Sequence, residues 1–230
     1  MKSILLAILF FAIAVLIPVF FVDVMKFMVT KMGTGWVFAS IYIRLLTIIF
    51  FAIGLYLIFQ AIPKTKKLKF IWVFLIAAGP GFGISFIEPV YNVDYGLFTD
   101  DMAIENIEDL EAASDYEFNG EYNLLMFGTT NCPHCKASVR KLVLNTEAGQ
   151  TMRVSTFFGG TEADALSYLS DNGAEAFDHH MIKPDTAFLN FSGYTFPSIF
   201  LIQPDGSTMH HWTGDMLNFS ALDLIADLPE

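Results

Sequence analysis

Hydrophobic positions follow two different rhythms along this chain. As far as residue 87 they form three long, nearly unbroken runs, at about 3–22, 36–62 and 68–87. Each is close to the roughly 20 residues that a helix needs to cross a bilayer core, so the pattern predicts three transmembrane helices within residues 1–87. A cleaved leader is the competing reading of the first run. Its unbroken apolar length and the lack of a small-x-small cleavage site speak against that. Between residues 100 and 117 the rhythm is lost among eight acidic residues, with Ile104, Ile107 and Leu110 at helical spacing. This stretch reads as a solvated amphipathic helix within an acidic linker over 88–119.

From residue 120 to 230 the apolar segments are short and punctuated by turn residues. Tyr122–Phe127 is a buried-strand pattern ended by Gly128. Thr129, Thr130 and Asn131 offer cap residues, and Cys132-Pro133-His134-Cys135 opens a helix to about Ala148. Met152–Phe158 is a second strand, and a helix follows from Thr161 to Ser170, before Gly173. Ser198–Ile202 is a third strand, Pro204-Asp205-Gly206-Ser207 a turn, Thr208–Trp212 a fourth strand and Leu217–Leu228 a closing helix. The expected order is strand, helix, strand, helix, strand, strand, helix.

Charge divides the chain at the same place. Residues 1–87 carry eight lysines and arginines against the single acid Asp23, whereas residues 88–230 carry 23 acids against five basic residues. The acidic half repels nucleic acid, which excludes a phosphate-backbone partner. Lys64, Lys66, Lys67 and Lys69 crowd the loop between the second and third runs, which assigns that loop to the cytoplasm. Lys2 then lies inside too. The Asp23, Lys26 and Lys31 loop lies outside, and an odd number of spans delivers residue 88 onward across the membrane. In a bacterium this describes a multi-pass inner-membrane protein whose second domain faces the periplasm, where disulfides persist.

The chain has two cysteines, Cys132 and Cys135, and neither falls in an apolar run. Disulfide exchange needs an accessible thiolate and a second thiol in reach, and two intervening residues at a helix start put both sulfurs on one turn. The backbone N–H groups and positive dipole end of that helix favour the thiolate of Cys132. Cys132 is thus the candidate nucleophile and Cys135 the candidate resolving thiol. A structural disulfide or half of a zinc site is the alternative. Zinc would need ligands from His179-His180 or His210-His211, and adjacent strand histidines point to opposite faces.

The element order, with CxxC at the first strand-to-helix junction, resembles the thioredoxin fold over about residues 120–230. Tyr194-Thr195-Phe196-Pro197-Ser198, followed by Pro204-Asp205-Gly206, strengthens the likeness. The resemblance implies that Pro197 is cis and lies against the active-site cysteines. The long stretch between Phe157 and Pro197 is more like the membrane-tethered TlpA class, which serves cytochrome c maturation. His134 gives the Pro-His dipeptide of the DsbA oxidases, which implies a stabilised reduced form and a disulfide-donating direction. Two positions depart from these families: Met126 stands where an acid is usual, and Asn131 where an aromatic residue precedes the first cysteine.

The expectation is therefore an α-helical membrane region followed by an α/β thioredoxin-like domain. It acts as a thiol–disulfide oxidoreductase on periplasmic protein thiols or disulfides, with lipid and a membrane redox partner as contacts and no cofactor. Two other functions compete. One is copper binding and delivery through Cys132, His134 and Cys135. The other is a membrane scaffold with a secondary redox role. In the membrane half, Arg44 is either functional or snorkels or pairs with Asp23 or Glu88, and Gly79-Pro80-Gly81-Phe82-Gly83 is expected to kink or break the third span.

Overall fold

The computed structural model describes residues 2–60, 68–87, 95–149, 152–183 and 187–229. The loop carrying Lys64, Lys66 and Lys67 lies outside the described residues, as does Glu88. The chain divides into two compact units, Met1–Asp94 and Tyr95–Glu230.

The first unit is helical: α1 Lys2–Val19, α2 Phe21–Met32, α3 Trp36–Gln60 and α4 Leu68–Ile87. Among the described residues, α3 is the single helix long and apolar enough to cross a membrane, and α1 with α2 passes only as a pair bent by 74°. The expected span over 3–22 is thus a helix as far as Val19, with a break at Phe20. Pro18 lies in the last turn of α1, and Phe20 leaves helical geometry at φ −102° and ψ 23°. Proline removes a backbone donor and crowds the preceding turn, so the helix breaks there. The expected outer loop beyond the break is itself helical, because Asp23, Lys26 and Lys31 ride on α2, whose Phe21, Met25 and Met28 are buried.

Arg44 on α3 does not snorkel; it is buried. Its guanidinium donates to the Gly81 carbonyl at 3.2 Å and to Ser85 Oγ at 3.1 Å, and stands 5.2 Å above the Phe21 ring. It thereby links three helices. The Gly79–Gly83 segment does not end α4, which is helical through Pro80 to Ile87.

The second unit is an α/β domain. Its elements are α5 Ile107–Ala113, β1 Asn123–Thr129, α6 Pro133–Glu147, β2 Arg153–Gly159, α7 Glu162–Asp171, β3 Asp178–His180, α8 Phe188–Ser192, β4 Ser198–Ile202, β5 Thr208–Thr213 and α9 Phe219–Ala226. The sheet order is β3-β2-β1-β4-β5, with β1, β2 and β3 parallel and β4 and β5 antiparallel. Strand periodicity divides the core in two. One face carries Leu125, Phe127, Phe157, Phe200 and Ile202, covered by Ile104, Ile107, Leu110, Tyr116, Ile182 and Phe188. The other carries Leu124, Met126, Gly128 and Phe158, where Gly128 faces Cys135 of α6 and Phe158 meets Tyr168 of α7.

The acidic stretch is more than a solvated linker. Most of its Glu and Asp side chains are exposed, but Glu111 is half-buried and accepts from Phe118 N–H at 2.7 Å, and Ile104, Ile107 and Leu110 are buried in the first core. Burying such side chains is worth about 1.5–3 kcal/mol each, which holds α5 on the sheet. The polypeptide joins the domain from Tyr95 on: Asn218 Nδ2 donates to the Gly96 carbonyl at 2.6 Å, and Ser220 Oγ to that of Tyr95.

Candidate functional site

The cysteine pair sits where β1 ends and α6 begins. Pro133 takes the first helical position, where its missing N–H costs nothing. Cys132 is the N-cap, in extended geometry, and its sulfur accepts a hydrogen bond from the Cys135 backbone N–H at 3.1 Å. A sulfur therefore does here what a serine or aspartate oxygen usually does at a helix start. Cys132 remains partly exposed, whereas Cys135 is fully buried one turn inside. Burial, reinforced by the neighbouring Cys132 sulfur, pushes the Cys135 thiol well above the ordinary range.

Opposite the pair, the Phe196–Pro197 bond is cis and Pro197 is buried. The Phe196 carbonyl stands 3.7 Å from Cys132 Sγ, within hydrogen-bonding reach of the thiol. Gly214 N–H anchors the Pro197 carbonyl at 2.9 Å, and Ser198 continues the chain into β4. Around this corner Tyr194 and Thr195 are exposed, Tyr194 by 88%.

His134 lies on the first turn of α6 between the cysteines and is exposed, as is Asn131. Met126 is completely buried on β1, two residues before Gly128 and on the same face. Gly128 belongs to β1 rather than terminating it. A Cβ there would lie 3.1 Å from Cys135 Sγ and 3.1 Å from the Phe158 ring. Residues whose place at the site the sequence did not reveal are Gly128, Phe158 and Tyr168. The Tyr168 ring meets Phe158 edge-on at 5.0 Å.

The histidines are engaged elsewhere. His211 Nε2 is 2.7 Å from Ser198 Oγ, and its ring stacks on Phe200 at 4.2 Å. His180 Nδ1 is 3.3 Å from Asp115, and His179 Nδ1 is 3.5 Å from Thr156 Oγ1. Burial lowers the pKa of all three below the ordinary imidazole value. Among the described residues, no three side chains of metal-binding type gather into a site.

No protein-family model matches the chain, and no curated protein matches it. Solved structures similar to it are thioredoxin-like thiol:disulfide oxidoreductases. The thioredoxin domain of a thiol-disulfide oxidoreductase from Bacteroides vulgatus is 18% identical, with 57% of this chain and all of that one covered at a TM-score of 0.42. StoA from Bacillus subtilis is 16% identical, with 57% of this chain and 100% of its own covered at 0.41. A secreted Mycobacterium tuberculosis disulfide oxidoreductase homologous to E. coli DsbE is 18% identical, with 46% and 81% covered at 0.37. The thioredoxin-like architecture of the second unit rests on its own features: sheet order, CxxC at the β1–α6 junction and the cis proline beside it.

Proposed function

We propose that this chain is a membrane-anchored thiol–disulfide oxidoreductase that exchanges disulfides with protein thiols outside the cytoplasm. The observation that carries the reading is the asymmetry of the cysteine pair. Cys132 is reachable, capped by a backbone N–H and placed against the cis Phe196–Pro197 peptide, while Cys135 is sealed beneath it. An attacking thiol and a protected resolving thiol need that division.

In the oxidising direction, a substrate thiolate attacks Cys132 of the oxidised pair. The Cys132–Cys135 bond breaks, and its electron pair stays on Cys135, which takes up a proton. A second substrate thiolate then attacks the substrate sulfur of the mixed disulfide and expels Cys132 as thiolate, so two electrons pass from substrate to protein. His134, exposed beside Cys132, favours the reduced pair when its ring carries charge, which supports a disulfide-donating direction. Pro197 shapes the surface against which the substrate sulfur lies.

Three spans in residues 1–87 remain the reading of the anchor, supported by the apolar length of α3, the bent α1–α2 pair and the lysine-rich loop before α4. The domain limits we propose are 1–87, 88–119 and 120–230, with the middle segment docked on the domain that follows it.

A mixed-disulfide trap with Cys135→Ala in whole cells tests the function. Captured extracytoplasmic proteins are expected, and an uncaptured Cys132 together with no insulin reduction or thiol oxidation by the wild type would refute it. A reporter fused at Lys66 should behave as cytoplasmic. Glutathione titration decides direction: a potential near about −120 mV fits a donor, and one near about −270 mV reverses that choice.

A further inference from the structure

The cis Phe196–Pro197 peptide is held from behind by two contacts, and the second is unlike its surroundings. Gly214, just past β5, donates its N–H to the Pro197 carbonyl at 2.9 Å. The next residue along, Ser198, has its hydroxyl oxygen 2.7 Å from His211 Nε2 on β5. Both side chains are buried. Ser198 shares a face of β4 with Phe200 and Ile202, and the His211 ring stacks on Phe200 at 4.2 Å, so the pair stands on the apolar face of the sheet. His211 Nδ1 is buried there with no hydrogen-bond partner among the described residues. The His211 carbonyl accepts from Asp100 N–H at 2.8 Å, which fixes the backbone behind the ring as well.

Stability alone does not call for a polar pair in this place. Replacing both partners of a buried hydrogen bond by apolar groups of the same shape is nearly neutral or stabilising, and here it would also remove an orphaned nitrogen. What the pair supplies is direction. Apolar contact is non-directional, whereas a hydrogen bond fixes both distance and angle. The residue it fixes follows Pro197 directly, and the residue before Pro197 carries the carbonyl that stands 3.7 Å from Cys132 Sγ. Resting on the exchange reading, we propose that Ser198 and His211 are positioning residues, which hold the cis-proline wall at the distance from Cys132 that a substrate polypeptide requires. They act on the chain that flanks the reacting sulfur. A small disulfide, which has no such chain, reacts with Cys132 independently of them.

The experiment uses the full chain in detergent with Cys135→Ala, so that Cys132 reacts once. The reagents are a decapeptide whose single central cysteine carries thionitrobenzoate and, for comparison, the symmetrical thionitrobenzoate disulfide. In either case the Cys132 thiolate attacks sulfur, a new disulfide to Cys132 forms, and thionitrobenzoate leaves with the electron pair and is read by absorbance. Adding Ser198→Ala should raise the half-saturating peptide concentration about tenfold, the scale of one buried hydrogen bond left unmade. The limiting rate at saturating peptide and the rate with the small disulfide should stay as they were. Ser198→Ala combined with His211→Phe makes both partners apolar and keeps a ring on Phe200. It should melt no lower than Ser198→Ala alone and still bind the peptide about tenfold more weakly. Unchanged half-saturation in both variants, an equal loss with both reagents, or recovery of peptide binding in the double variant overturns the Ser198–His211 inference alone. Failure of Cys132 to react with either reagent before these changes overturns the exchange reading itself.

Discussion

A single methyl group at Gly128 probes how tightly the redox pair is packed. The position has no left-handed φ, so alanine brings no backbone strain. Its Cβ would stand 3.1 Å from Cys135 Sγ, 3.1 Å from Phe158 Cε1 and 3.5 Å from Cys135 Cβ. Comfortable carbon contacts begin near about 3.5–4.0 Å, so the neighbours must retreat by several tenths of an ångström. Neither yields easily, because Cys135 is fixed in the first turn of α6 and Phe158 is held against Tyr168. Overpacking of this kind costs about 1–3 kcal/mol, and alanine in place of a strand glycine returns roughly 0.5–1 kcal/mol. The balance is a loss of about 1–2 kcal/mol, or a fall in melting midpoint of about 2–8 °C for a chain of this size. Thermal unfolding followed by near-ultraviolet circular dichroism measures the first quantity; the second, whether Cys135 has moved, is read from how fast Cys135 releases a thionitrobenzoate chromophore placed on Cys132 by exchange with its symmetrical disulfide. A variant that melts at or above wild type with unaltered release would refute the packing argument.

Other outcomes are set by the same geometry. Met126→Glu should destabilise the domain by about 2–4 kcal/mol, since the carboxyl would be buried without a partner, yet speed discharge of the mixed disulfide by accepting the Cys135 proton; urea unfolding and stopped-flow release check the two effects, and an unchanged rate with intact fold means another group takes that proton. Burial depresses His179, His180 and His211, so the folded state binds fewer protons than the unfolded one below about pH 6.5. Stability should therefore fall as pH drops from about 7 to 5, and identical urea midpoints at the two ends contradict this. Arg44→Met should lower the detergent-phase stability of the full chain by about 1–3 kcal/mol by stranding the Gly81 carbonyl and Ser85, while chromophore release stays as in wild type; undiminished melting removes the clamp role.

The strands and helices carrying the cysteines were legible because their signals are local. A short apolar run, a CxxC with proline at the helix start and a later Phe-Pro-Ser before another apolar run each announce themselves within ten residues. β3 was not legible, since Asp178-His179-His180 has no apolar run and pairs only because β2 offers its edge. α8 is five residues of mixed character that follow no period, and its Phe188 is placed by contact with Phe127. The bend at Phe20 was hidden by uniform hydrophobicity, which hides a helix break as readily as it marks a span. Tyr168 gave no signal at all. Its ring is placed by contact with Phe158 on β2, and only tertiary packing connects them.

The two borders of the sheet have a consequence for how other polypeptides meet this domain. On one side β3 is three residues long, and its Asp178 is locked to Arg153 at 2.6 Å. On the other, the Asp100 N–H occupies the His211 carbonyl of β5 at 2.8 Å, and the Ile104 N–H takes Thr208 Oγ1 at 3.0 Å. Among the described residues, both borders are thus partly closed to an incoming extended chain, and pairing at an open edge is the usual route to unwanted self-association. Contact is steered away from the flanks and toward the one corner where sulfur is exposed.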